Sequence, residues 1–201
     1  MKKVLKTTLV MAALLSISYG VNAQVSVNAG YLSTTGTTKT GGISTESEPL
    51  NGVSAGIGYD MGVQGGIGLF WGLNYTYAWK KISDNTKSVD HVLDLPVRVT
   101  FGVPVTDNIK VFGFAGPKFV YALAGSTKTG GSVHIKHYGD GLGQRTPFDI
   151  KLGLGAGLKF SSLILKAGYD WGMLNQWGNK TVAENSALTL DHLYVTLGLA
   201  F

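Results

Sequence analysis

Four histidines and the carboxylates beside them are the residues of this sequence that could perform acid–base chemistry. His91 and His192 lie close along the chain to Asp90, Asp94 and Asp191. A histidine that is paired with a carboxylate can act as a general base. The same residues are ordinary where a strand leaves a membrane, however, and the sequence has no recognisable serine nucleophile motif. We therefore predict no catalytic residues and a protein that is not an enzyme.

The other two histidines, His134 and His137, have a spacing that could bind a metal ion on a helix. Asp140 is the one further ligand nearby, the chain has no cysteine, and glycines flank the segment. These features favour a solvated loop over a metal centre. We predict neither a metal site nor a cofactor.

Seven charged residues form a third group on four consecutive segments in which apolar and polar residues alternate. They are Asp94, Arg98, Lys118, Asp149, Lys151, Lys166 and Asp170. All seven occupy the polar phase, so they would share the interior of a closed sheet. Buried charges need partners of opposite sign, which predicts a charge network that fills the lumen. A charged constriction in a narrow pore is the alternative.

The elements that position these residues are eight alternating segments, each long enough for a tilted strand of about 9–11 residues across a bilayer. They are 25–33, 52–61, 66–80, 92–103, 109–123, 148–160, 163–173 and 188–201. Short connections (62–65, 104–108, 161–162) alternate strictly with long ones (34–51, 82–91, 124–147, 174–187). Transmembrane barrels have such short periplasmic turns and long extracellular loops. The outward aromatic residues also sort into two levels, as interfacial girdles do.

Residues 1–23 have the pattern of a secretory signal peptide. Three lysines precede a short apolar run, and small residues precede Gln24. We predict cleavage between Ala23 and Gln24, which leaves one β-barrel domain over residues 24–201. The loss of three lysines lowers the formal net charge from +5 to +2, so nothing indicates nucleic-acid binding.

The last segment alternates strictly and ends on an aromatic residue. Leu193, Val195, Leu197 and Leu199 share one face with Phe201. A phenylalanine at the end of the last strand resembles the signal that bacterial outer-membrane proteins present to their barrel-assembly machinery. We predict that Phe201 is an assembly signal.

The leader, the eight segments, the connections sorted by length and the terminal phenylalanine together resemble small outer-membrane barrels of the OmpA-transmembrane and OmpX type. More specifically, they resemble the porin-family outer-membrane β-barrel domain of Gram-negative bacteria, in which a segment similar to Phe114-Ala115-Gly116-Pro117 recurs. The resemblance implies an all-β fold, an eight-stranded antiparallel transmembrane β-barrel with up-and-down meander topology. It also implies a location in the cell outer membrane.

The partners that this resemblance implies are outer-membrane lipid and lipopolysaccharide, with the barrel-assembly machinery during insertion. A host or surface ligand would bind at the extracellular loops. We expect a structural or adhesin-like role through these loops, because the interior of an eight-stranded barrel is just wide enough for side chains to fill. A narrow-channel porin for small solutes is the alternative, followed by a lipid-modifying enzyme.

Overall fold

The computed structural model describes residues 22–62, 66–130, 133–178 and 185–201, which are mostly β-strand. The strands are β1 (Asn22–Thr40), β2 (Ile43–Glu46), β3 (Leu50–Gly62), β4 (Ile67–Ser83), β5 (Thr86–Thr106), β6 (Ile109–Thr129), β7 (Val133–Lys136), β8 (Phe148–Phe160), β9 (Leu163–Gly172) and β10 (Ser186–Ala200). Eight of these strands form a closed ring, and the short strands β2 and β7 are additions at its edge. The predicted eight-stranded antiparallel meander is confirmed.

The ring closes where the first strand meets the last. β1 and β10 are antiparallel neighbours from the pair Ser26↔Ala200 to the pair Thr40↔Ser186. Every other neighbour in the ring is the next of these eight strands along the chain. Each of the eight therefore has a partner on both sides, which satisfies backbone groups that an open sheet would leave unpaired.

Side-chain burial alternates along the strands in the predicted phase. On β10, Leu193 and Leu197 are 55% and 51% exposed on the outer face, whereas His192 and Gly198 are buried on the inner face. The outer face is thus an apolar band and the inner face carries the polar residues, because successive side chains of a strand point to opposite sides. Within the described ranges, no helix has the length and apolar character needed to span a membrane.

The two ends of the barrel differ, and we call them the turn end and the loop end. At the turn end, residues 107–108 join β5 to β6, and residues 161–162 join β8 to β9, as short connections. The predicted turn over 62–65 lies partly outside the described residues. β1 already begins at Asn22, so Ala23 and Gln24 pair with Met61 and Asp60 at this end. Cleavage before Gln24 stays a prediction.

At the loop end, one predicted long connection is wrong. β4 and β5 continue to pair as far as Ser83↔Thr86, with a register shift between Lys81 and Ser83, so residues 84–85 form a tight turn in place of the loop predicted over 82–91. This hairpin extends beyond the apolar band, so its strands lack the apolar face on which the sequence prediction relied. The connection after β6 instead folds back over the barrel, where β7 pairs with the end of β6.

Candidate functional site in the barrel lumen

An ion-pair layer crosses the lumen at mid-height. The Asp170 carboxylate on β9 is fully buried between the Arg98 guanidinium of β5 and the Lys118 ammonium of β6. Lys118 Nζ lies 2.6 Å from Asp170 Oδ2, and Arg98 Nη2 pairs with Asp170 Oδ1. Arg98 also donates to the backbone carbonyls of Gly116 and Gly153. One acid of β9 is therefore held by two bases from the neighbouring strands β5 and β6, which gives this layer the partners that buried charges need.

A second ion pair lies on β8, one level closer to the loop end. Lys151 Nζ lies 2.7 Å from Asp149 Oδ2, and the two side chains are 1% and 6% exposed. Lys151 also donates to the carbonyl of Leu190 on β10. His192, two residues further along β10, is buried on the same inner face. This second layer ties β8 to β10 across the strand that lies between them.

Two members of the predicted charge network stand apart from these ion pairs. Asp94 accepts hydrogen bonds from Asn74 Nδ2 at 2.8 Å and from Thr76 Oγ1 at 3.4 Å. Lys166 Nζ lies 3.8 Å from the centre of the Phe70 ring. In the described part of the chain, neither has an oppositely charged group within 4 Å. Asp94 is the ladder partner of Asn74, so an amide is closer to it than any base.

A polar cluster at the loop-end mouth joins the folded-back loop to the barrel wall. Asp90 on β5 contacts His137 Nδ1 at 2.5 Å through Oδ1, and Arg145 Nη2 at 2.7 Å through Oδ2. The Arg145 guanidinium also lies 4.8 Å from the ring centre of Tyr138. Burial raises the pKa of the Tyr138 phenol above its ordinary range, so this phenol stays neutral at physiological pH. The prediction of a solvated loop is therefore wrong for His137, because Asp90 draws it into the mouth.

The same cluster contains the residue types of a hydrolytic relay. His137 Nε2 lies 2.8 Å from Thr127 Oγ1 and 3.4 Å from Ser88 Oγ, on the opposite side of the ring from Asp90. A nucleophile is activated when its hydroxyl is within about 2.6–3.2 Å of the base. Thr127 meets that distance, but the second oxygen of Asp90 is bound to Arg145. These contacts join β5 and β6 to the loop, so the arrangement fits a cluster that holds the loop in place better than a catalytic relay.

Within the described part of the chain, His91 and His192 do not form the His–carboxylate pairs considered from the sequence. His91 lies on the outer part of β5, where its Nδ1 is 2.6 Å from Tyr75 Oη, whereas His192 faces the lumen. Asp191 accepts hydrogen bonds from Tyr169 Oη and from the Gly172 amide. His134 lies on β7, and its side chain is outside the described part of the structure.

The turn half of the lumen is more open than the sequence predicts. It contains a cavity of about 970 Å³, whose wall includes Phe70, Phe112, Phe114, Lys110, Lys159 and Lys166. In the loop half, the cavity beside Asp149 and His192 measures only about 40 Å³. The Phe70 ring lies against Gly58 and Gly72 on the inner faces of β3 and β4, where a Cβ would be too close to it. The lumen is therefore closely filled around Asp149 and His192 and open below them.

The sequence did not reveal the cluster at the loop-end mouth, because its residues lie outside the alternating segments. Arg145 and Tyr138 lie in a glycine-rich connection that has no periodic pattern. Asp90 carried a usable signal, since it occupies the same inward phase as Asp94 four residues later. Only the folded-back loop shows which bases Asp90 contacts.

Comparisons with known proteins agree with this architecture. A family model described as "Outer membrane protein beta-barrel domain" matches residues 15–176. The outer membrane enzyme PagL has a similar solved structure, with a TM-score of 0.50 and 15% identity over 84% of this chain and 98% of PagL. Ail of Yersinia pestis (TM-score 0.49, 14% identity, 89% and 99% of the two chains) and Neisserial surface protein A (0.49, 14%, 90% and 99%) are further similar structures. No curated protein matches the sequence. The likeness to PagL concerns the fold alone.

Proposed function

The chain belongs to the outer membrane protein β-barrel domain family and is located in the cell outer membrane, and from this premise we propose that it is a surface-binding protein with a closed lumen. In this proposal the barrel is a rigid support, and the loop end binds ligands outside the cell. The apolar outer face contacts membrane lipid. The polar interior conducts no solute and performs no chemistry.

The main support for a closed lumen is the buried layer formed by Asp170, Arg98 and Lys118. Asp170 is fully buried and Arg98 is 2% exposed, so the two charged groups are packed tightly together where they border the large cavity. Removing one partner of such a buried ion pair lowers the stability of the folded protein by about 3–5 kcal/mol. A solute that passed through would have to break these contacts, which supports a structural role for the layer.

Exposed apolar side chains at the loop end support a binding role there. Ile43, Ile82, Ile135 and Leu142 are 73%, 57%, 59% and 81% exposed, and all four lie beyond the strand segments predicted to cross the bilayer. Apolar residues at the tips of loops on a rigid scaffold are typical of interaction sites. Their chemistry favours a protein partner with an apolar patch of its own.

The cavity of about 970 Å³ in the turn half favours one alternative, a narrow channel for small solutes. A channel would need a second conformation in which Asp170 releases Arg98 or Lys118. The relay of Asp90, His137 and Thr127 favours the other alternative, an enzyme that acts on lipid. In that case Thr127→Val would abolish hydrolysis of a lipid ester by the folded protein.

Cells that produce the protein test the proposal directly. We expect adhesion to protein-coated surfaces to rise with the wild-type protein and to fall for Leu142→Asp, while uptake of small solutes stays at the level of cells without the protein. The matched control is Asp140→Asn, which changes another residue of the loop that contains Leu142. Leu154→Asp is not a suitable control, because Leu154 lies in the lipid-facing band. Increased solute uptake with unchanged adhesion would favour the channel.

A further inference from the structure

Three lysines form a row across neighbouring strands near the loop end. Lys81 of β4 is the register partner of Lys87 of β5, and Lys87 is the register partner of Lys128 of β6. Neighbouring strands of a sheet lie about 4.8 Å apart. The row therefore brings three positive charges close together on neighbouring strands of the barrel.

All three lysines of this row point away from the lumen. Ser88 and Thr127 face the mouth, where both contact His137, so Lys87 and Lys128 beside them point outward. Lys81 shares their face because opposed residues of an antiparallel pair lie on the same side of the sheet. The Lys81 side chain is 69% exposed.

The row borders a surface groove of about 290 Å³. Lys81, Lys87 and Lys128 line this groove, together with the turn residues Asn85 and Thr86. Asp84 is the one acid in its wall, and it pairs with Lys81 at 2.7 Å. Both partners of this pair are exposed, and such surface pairs contribute little stability. An anion with more charge than one carboxylate can replace Asp84 at Lys81.

The position of the groove relative to the membrane indicates which kind of anion it can bind. Trp79, two residues before Lys81 on the same face of β4, stacks with Tyr77 in the aromatic girdle of the loop end. Two residues of a strand span about 7 Å, and the headgroup region of a bilayer is about 5–7 Å thick on each side. Lys81 therefore lies at the height of the headgroups in the leaflet next to the loop end, and Lys87 and Lys128 lie beside it on the next two strands.

Like charges on directly opposed strand positions destabilise a sheet. Two such pairs are adjacent here, Lys81 with Lys87 and Lys87 with Lys128, so a bound anion would remove a repulsion that the empty groove retains. We propose that these three lysines bind a phosphate monoester group of lipopolysaccharide in the outer leaflet. The phosphate accepts charge-assisted hydrogen bonds from the ammonium groups, and Asn85 and Thr86 line the rest of the groove.

Binding of lipid A to the barrel folded in uncharged maltoside micelles tests this proposal, with native mass spectrometry as the readout. We expect bisphosphorylated lipid A to bind more tightly than its dephosphorylated form. Lys87→Gln should weaken binding by about tenfold, and the triple change of Lys81, Lys87 and Lys128 to glutamine by about a hundredfold. Lys39→Gln, an exposed lysine of β1 on another part of the ring, is the matched control and should leave affinity unchanged.

Heat-modifiable gel migration shows that each variant is folded. Without lipid A, Lys87→Gln should not lower resistance to urea, because it removes a like-charge contact. Equal losses of affinity for Lys87→Gln and Lys39→Gln would overturn the proposal, as would equal binding of dephosphorylated lipid A. Displacement of lipid A by an equal concentration of inorganic phosphate would overturn its assignment to a membrane lipid.

Discussion

The Arg98 guanidinium and the Asp170 carboxylate form an ion pair inside the barrel, although the two residues are 72 positions apart in the sequence. Arg98 lies on β5 and Asp170 on β9, so the contact requires every strand between them to be paired in register. A shift of β9 by one residue would turn Asp170 toward lipid. The pair therefore links the closure of the lumen to the correct register of the ring.

Removing the acid of this pair should destabilise the barrel. Asp170→Ala leaves Arg98 and Lys118 without their shared partner, so we expect the free energy of unfolding to fall by about 3–5 kcal/mol. Arg98→Met in the same chain should recover part of this loss, because it removes one of the unpaired charges. Urea titration in lipid vesicles measures both effects. Asp140→Ala in an exposed loop is the control, and an equal effect at both positions would contradict the prediction.

A glycine beside the ion pair should be as important as the charges. A Cβ at Gly153 would clash with the carboxylate oxygen Oδ1 of Asp170, whereas a Cβ at Gly113 would meet its nearest neighbour, a backbone oxygen, at 3.8 Å. Gly153→Ala should therefore lower the free energy of unfolding by about 1–3 kcal/mol, and Gly113→Ala should change it little. Unfolding of both variants in the same vesicles decides the matter, and a larger loss for Gly113→Ala would show that the two faces of β8 and β6 are assigned wrongly.

The mouth cluster should hold the loop after β7 in place. The amides of His137 and Arg145 donate to the carbonyls of Gly125 and His137, and Asp90 holds both side chains. We expect Asp90→Ala to speed hydrogen exchange at these two amides by about tenfold, because about 1–3 kcal/mol is lost with a buried charged partner. Ser88→Ala, which removes a contact of 3.4 Å, should leave exchange nearly unchanged. Equal exchange in wild type and Asp90→Ala would show that the loop does not depend on this anchor.

The last residue should matter for assembly beyond its hydrophobicity. The Phe201 amide donates to the Val25 carbonyl at 2.8 Å, and the side chain is 77% exposed at the turn end. If Phe201 is an assembly signal, Phe201→Ser lowers the yield of folded protein in cells, as measured by heat-modifiable migration. Phe160→Ser removes a lipid-facing aromatic residue that is 53% exposed at the same end, and it should lower the yield less. Equal yields for wild type and Phe201→Ser would refute the role as a signal.

The sequence predicts the fold well because the barrel places two different environments on the two faces of each strand. Leu193 and His192 are neighbours in the chain, yet one faces outward and the other faces the lumen, as the alternation indicates. The polar hairpin at Asp84 was missed because beyond the apolar band both faces of a strand meet water. Strand pairing continues there without a hydrophobic signal.

The candidate site was predictable in composition but only partly in its contacts. The inward phase of Asp170 and Arg98 follows from the alternation, whereas their pairing depends on the curvature that brings β5 opposite β9. Lys166 shows the limit, since it lies over the Phe70 ring and not beside an acid. Alternation indicates the face of a residue, and the three-dimensional position of its neighbours determines its partner.

Current recordings across planar bilayers that contain the purified, refolded barrel test the closed lumen most directly. We predict no stable conductance steps for the wild-type protein. We also predict that any current of Asp170→Ala is accompanied by a clear loss of resistance to urea. Steady ion-selective steps from the wild type, with a selectivity that Asp170→Ala shifts toward anions while unfolding is unchanged, would contradict the account and identify a pore.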